Sequence, residues 1–356
     1  MAGRCVRVRW LPAIAAVFLA IAGLGAAGKV PTRVAYVSEQ EGGISVIDLS
    51  TLTVVKRIQP ENTAPRGLGL SFDGRYLFTA NKDTADATVY DTRGLSLRPA
   101  RRIPVGNNPE FVKINPSGTR IFTSFEPAST GGPPAAGSQT TEEQEPPSQI
   151  VEFRVGDWAR RRTFTAGIET EGLEFSADGK QLIVANEGQN TLGIYDVATG
   201  KPLRTVNLAD AGKLPRGVKR SPLGNGYAVT MEESGTLVLL DRAFHVVRTA
   251  PTGARPYGVA YDRSGTRILV AAAAARKLQV FTADSLQPVG EVSVGQRCWH
   301  FTFTPDDSKL LVACGRSNDV YVIDAKSYRV LKILDGFRMP WGIVTFPRSY
   351  GSLDLP

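Results

Sequence analysis

Seven residues stand one place after a recurring anchor position: Arg66, Glu110, Glu171, Arg216, Tyr257, Trp299 and Trp341. In chain order they form a charged run, Arg-Glu-Glu-Arg, and then an aromatic run, Tyr-Trp-Trp. Gathered around one opening, such side chains make a pocket that binds a polar group on one side and stacks a planar or apolar group on the other. The same residues also have a purely structural use. Arg66 with Glu110, and Glu171 with Arg216, neutralise one another while the rings pack, because buried charges are normally paired. Two glutamates without Asp or Asn neighbours offer little to a calcium ion. No residue of the set reads as catalytic or as a metal ligand.

The chain of 356 residues holds only two histidines and three cysteines, which excludes a haem or multi-zinc centre. His300 follows Trp299, and strand alternation turns it to the opposite face, toward packing within the blade. His245 follows a strand end and reads as a surface residue. Cys298 and Cys314 suit a disulfide in an oxidising compartment. In the hairpin register that pairs Trp299 with Cys314, Cys298 falls one step off, which suits two free thiols equally. No nucleophile elbow or phosphate-binding loop is present. Arg98, Arg101 and Arg102, and Arg160 to Arg162, are basic clusters on outer strands. They read as a solvated rim and not as a nucleic-acid face.

The elements that must position these residues are written as an internal repeat. Asp-Gly-like turns centred at 73, 117, 178, 223, 264 and 306 recur at intervals of 41 to 45 residues, with one of 61. Eighteen residues after five of these turns, Asp91, Asp196, Asp241, Thr282 and Asp324 close an alternating strand. A Gly-x-x-anchor turn precedes the next unit at Gly106, Gly167, Gly212, Gly253 and Gly295, with Asn62 in that place before Pro65, as for a position of positive φ. Four short strands per unit predict an all-β fold, a seven-bladed β-propeller of four-stranded blades. The 36 glycines and 23 prolines agree with many tight turns. The seventh unit has only Trp341 to Phe346, so the strands near 33–38 and 43–48 are expected to complete it and close the ring. The long interval marks an insert at about 127–148, rich in Pro, Gly, Ser and Glu, which reads as a disordered loop on one rim.

Before the first strand, Arg4, Arg7 and Arg9 lead into an apolar stretch from Leu11 to Leu24 and then Gly25-Ala26-Ala27-Gly28. This is the layout of a secretory signal peptide spanning 1–28, leaving a single domain over 29–356 in the periplasm or outside the cell. The formal charge of +8 owes three units to that segment.

Leu77-Phe78-Thr79-Ala80-Asn81, Ile183-Val184-Ala185-Asn186, Ile47-Asp48 and Ile323-Asp324 resemble the motifs of the seven-bladed repeat proteins named for Tyr-Val-Thr-Asn. Val294-Gly295-Gln296-Arg297-Cys298-Trp299, Phe303-Thr304-Pro305-Asp306, Ser317-Asn318-Asp319-Val320 and Pro340-Trp341-Gly342 are similar to the β-propeller family associated with catabolism dependent on pyrroloquinoline quinone. That resemblance implies a periplasmic protein working beside an alcohol-oxidising quinoprotein system, a context and not a reaction, and the expected function is a non-catalytic binding or assembly module of that system. Its partner would be a quinoprotein dehydrogenase or its cytochrome, with a small ligand at the channel mouth. A monomer is expected, without a cofactor of its own and without nucleic acid. The alternatives are a lactonase, since some seven-bladed relatives hydrolyse sugar lactones, and a cell-surface scaffold or adhesion propeller.

Overall fold

The computed structural model describes residues 1–3, 31–60, 63–95, 97–127 and 146–354. The expected signal peptide beyond residue 3, Asn62 and nearly all of the expected insert lie outside them. Among the described residues no helix is long and apolar enough to cross a membrane.

The described strands form seven four-stranded antiparallel sheets, the blades of a propeller. Blades 1 to 6 take residues 65–104, 109–165, 170–207, 215–251, 256–293 and 298–334. Blade 7 joins the C-terminal strand Pro340–Phe346 to Val34–Glu39, Gly43–Asp48 and Thr53–Ile58, so the two ends of the domain share one sheet as expected. Pairing Val34 with Phe346 and Tyr36 with Val344 closes the ring.

The repeated polar residues build the turns. Asp73 accepts from the amide of Arg75 at 3.0 Å and Asp178 from that of Lys180 at 3.0 Å, which tightens the first hairpin of their blades. Asp196 and Asp324 accept from Thr199 and Ser327 amides at 2.7 Å, which ends their third strands in Asx turns. Inner strands such as Pro65–Leu70 and Cys298–Phe303 are buried throughout, whereas outer strands such as Arg98–Pro104 are mostly exposed. Arginines on exposed outer edges discourage pairing with another sheet. In blade 2 they also pin a buried acid: Glu152 is held by Arg161 at 3.5 Å and Arg162 of the outer strand, and by Arg120 of the second strand at 3.4 Å.

The positive φ lies only partly where the sequence suggests. Gly106 and Gly212 are left-handed, but Gly167, Gly253 and Gly295 are not. Glycine is needed there for space, since a Cβ on Gly295 would lie 2.1 Å from Ser317 Oγ. The left-handed residue common to all seven blades is the one before each anchor: Ala64, Asn108, Glu169, Leu214, Arg255, Arg297 and Met339, with φ of 43 to 58°.

Every inner strand also carries a bulge just after its anchor, the register slipping between Pro65 and Leu68 in blade 1 and at the same place in the others. A bulge re-aims side chains. In blade 6 it falls at Trp299, so Cys298 and not Trp299 stands opposite Cys314. The two cysteines form a disulfide, which resolves the alternatives the sequence leaves open.

One element has no counterpart in the repeat. After blade 7 the chain crosses the inner strand of blade 6, the Tyr350 carbonyl accepting from the Phe303 amide at 2.8 Å and the Ser352 amide donating to Phe301 at 2.9 Å. Lys113 Nζ donates to the Leu353 carbonyl at 3.1 Å, and Lys219 Nζ donates to that of Asp354. Glu174 lies between the two lysines at 3.5 and 3.7 Å. The tail therefore fills the channel far from the anchors and leaves a cavity of about 10 Å³ beside His300 and Ser352.

Candidate functional site

The bulge brings the seven post-anchor residues to the anchor end of the channel, where all but Arg216 are at most 8% exposed. The charged members do pair. Arg66 contacts Glu110 and donates to Asn108 Oδ1 at 3.1 Å, and Asn108 Nδ2 donates to Glu126 at 2.6 Å. Arg216 Nη2 donates to Glu171 Oε1 at 2.7 Å.

Arg216 has further partners that sequence reasoning missed. Its Nη1 donates to both oxygens of Glu187, at 2.8 and 2.7 Å, and Glu232 Oε2 lies 2.8 Å from the same nitrogen but off the hydrogen-bond line. Tyr257 completes the surround, its hydroxyl 3.2 Å from Nη2 and its ring centroid 4.4 Å from the guanidinium carbon. Glu126, Glu187 and Glu232 share one register position, the residue after a second strand ending at Phe125, Asn186 or Met231. The offset is constant, so it was legible in the repeat.

Three carboxylates crowd one guanidinium, and among the described residues only Glu232 of the three has a second cation, Arg255. Burial pushes Glu171 up to about 7 and Glu187 up to about 8, and Arg216 only partly opposes this. The carboxylates raise Arg216 well above its usual value. The cluster as a whole holds a proton near neutral pH. The guanidinium sits between the glutamates where a bound cation would otherwise lie. Glu171 Oε2 and Arg216 Nε are buried with no partner among the described residues, and such groups are normally satisfied by water or a ligand.

The aromatic members are packed and not open. Trp341 lies 5.4 Å from Phe111 and 4.3 Å from His300 between ring centroids, and Tyr257 lies 5.3 Å from His300. Trp299 lies against Gly315, where a Cβ would sit 1.7 Å from its ring. These rings form the floor and wall of the mouth.

His300 also departs from expectation. The bulge at Trp299 undoes simple alternation, and the ring turns into the channel among Phe111, Tyr257 and Trp341, with Nδ1 3.0 Å from Ser352 Oγ. Desolvation, with Arg216, Lys219 and Lys113 nearby, holds it well below its usual pKa, so it is neutral. His245 is exposed beside Asp241, as a surface residue.

A profile of the family described as "Lactonase, 7-bladed beta-propeller" matches residues 159–248. No protein of curated function matches the sequence significantly. Among solved structures, the periplasmic gluconolactonase of Pseudomonas aeruginosa superposes with a TM-score of 0.68 at 18% identity, over 88% of this chain and 98% of that one. A protein of Bacteroides uniformis described as a "putative 6-phosphogluconolactonase" gives 0.72 at 17% identity, over 88% and 99%. A functionally unknown protein of Desulfotomaculum acetoxidans gives 0.73 at 14% identity, over 88% and 98%. At these identities the superpositions show the fold alone.

The comparisons correct the expected function. The family match favours a lactonase-like hydrolase over a non-catalytic module of a quinoprotein system, and it points away from the pyrroloquinoline quinone-associated propellers. The motifs that suggested the latter belong to the blade scaffold, which propellers of many functions share.

Proposed function

We propose that this protein hydrolyses a sugar lactone at the channel mouth, with Glu171, Glu187 and Arg216 as its working groups. One coincidence of place carries the reading. The segment matching the lactonase family, 159–248, is the segment that supplies Glu171, Glu187, Arg216 and Glu232.

Opening a lactone requires a water that loses a proton as it attacks the acyl carbon, and a proton for the ring oxygen that leaves. A base works best when its pKa is near the working pH, and Glu171 at about 7 meets that condition. Its unpartnered Oε2 takes the water's proton, the water oxygen bonds to the acyl carbon, and the ring ester C–O bond breaks. The departing ring oxygen takes a proton from the carboxyl pool of Glu171 and Glu187. The product is the open hydroxy acid. Arg216 holds both carboxyl groups in register and supplies positive charge beside the reacting carbonyl.

The reading includes export. The basic start, apolar stretch and small residues of 1–28 support it, as do the Cys298–Cys314 disulfide and the periplasmic location of the Pseudomonas aeruginosa neighbour. The test is ring opening of glucono-1,5-lactone by purified protein and by Glu171→Gln. Acceleration over the spontaneous reaction that the variant loses supports the reading, and its absence in the wild type refutes it.

A further inference from the structure

Among the described residues, Arg66, Arg216, Arg255 and Arg297 bring guanidinium groups to the mouth from blades 1, 4, 5 and 6. Three are committed: Arg66 to Glu110, Arg216 to its glutamates, and Arg255 to Glu232 at 3.1 Å. Arg297 differs. Among the described residues it makes no ion pair, and its Nε is buried without an acceptor. Burial together with the like charges of Arg316 and Arg216 acts on it, while Glu232 and Tyr257 of the same mouth oppose them.

Arg297 is also held in place. Its guanidinium carbon lies 5.8 Å from the centroid of the Trp299 ring, and Trp299 is itself wedged against Gly315. The Arg297 backbone is left-handed, with φ of 58°, and its carbonyl accepts from the Gly315 amide at 3.0 Å. A fixed, half-buried cation with no ion pair of its own and a buried, unpartnered Nε is costly unless an anion meets it. The two terminal nitrogens of a guanidinium match the two oxygens of a carboxylate.

We propose that Arg297 is the anion subsite of the mouth and receives the carboxylate that ring opening creates. The identity of that carboxylate rests on the lactone reading; the presence of an anion subsite does not. Glu232 is held by Arg255 and Arg216.

The test is calorimetric titration of the purified protein with D-gluconate at neutral pH, repeated for Arg297→Gln and Arg297→Lys, with inorganic phosphate as a second probe. Gluconate should bind the wild type, weaken about tenfold or more in Arg297→Gln, and recover in part in Arg297→Lys. Equal binding by Arg297→Gln, or no binding by the wild type, overturns the subsite. Phosphate binding tighter than gluconate overturns the carboxylate assignment. Arginine-dependent gluconate binding without lactone hydrolysis keeps the subsite and removes the hydrolase reading. Hydrolysis with binding that ignores residue 297 does the reverse. A thermal unfolding scan of each variant separates loss of binding from loss of fold.

Discussion

Arg216 and Glu187 lie 29 residues apart on neighbouring blades, yet both oxygens of the glutamate accept from one guanidinium nitrogen, at 2.8 and 2.7 Å. Glu171 and Glu232 crowd the same group. One cation set among three buried acids is poor design for stability alone, because a buried pair needs full compensation to break even. It is good design for keeping a carboxyl group titrating near neutrality.

Stability should therefore fall as pH rises through that range. The unfolded chain releases these protons near pH 4.5, whereas the folded protein holds them until about 7 at Glu171 and about 8 at Glu187. Folding binds protons in that window, so raising the pH opposes it. Glu171→Gln keeps a neutral side chain throughout. Between about pH 5 and about pH 8 its unfolding temperature should drop less than that of the wild type. Parallel curves would show that Glu171 ionises normally in the fold.

Much of the scaffold was legible because its signals are local. Asp73, Asp178 and Asp324 each bond an amide two or three residues away, so turn and strand end can be read from one short stretch. The bulge was not legible from any single hairpin. A Cβ at Gly67, Gly172, Gly217 or Gly258 would sit 2.4 to 2.5 Å from a carbonyl oxygen of the next blade, so the constraint comes from the neighbour. That is why the register of Cys298 and the direction of His300 do not follow from the hairpin sequence alone. The site was legible only in part. Arg66, Glu110, Glu171 and Arg216 follow from the anchors, but Glu187 and Glu232 belong to a second register that a search along inner strands passes over. The tail lies outside the repeat, and its partners Lys113, Glu174 and Lys219 come from three blades.

Removing the Cys298–Cys314 bond should destabilise blade 6. The cysteines are 16 residues apart, and closing a loop of that size contributes about 3 kcal/mol in the chain-entropy account. Cys298→Ser with Cys314→Ser should unfold at lower denaturant concentration. An unchanged midpoint would mean that strand pairing alone fixes this hairpin.

Truncation before Ser349 should cost at least about 3 kcal/mol, since Lys113 and Lys219 would keep Glu174 but lose the tail carbonyls and Asp354 while remaining in the channel. Denaturant unfolding of the truncated protein reads this directly. A truncated protein as stable as the full chain would show that water satisfies the lysines.

The most direct test is the pH dependence of kcat/KM for ring opening of glucono-1,5-lactone, followed by titrating the acid released and corrected for spontaneous hydrolysis. The account predicts catalysis that rises through an apparent pKa near 7, set by Glu171, and that is lost in Glu171→Gln. No acceleration by the wild type, or an equal rate and profile in Glu171→Gln, would contradict it.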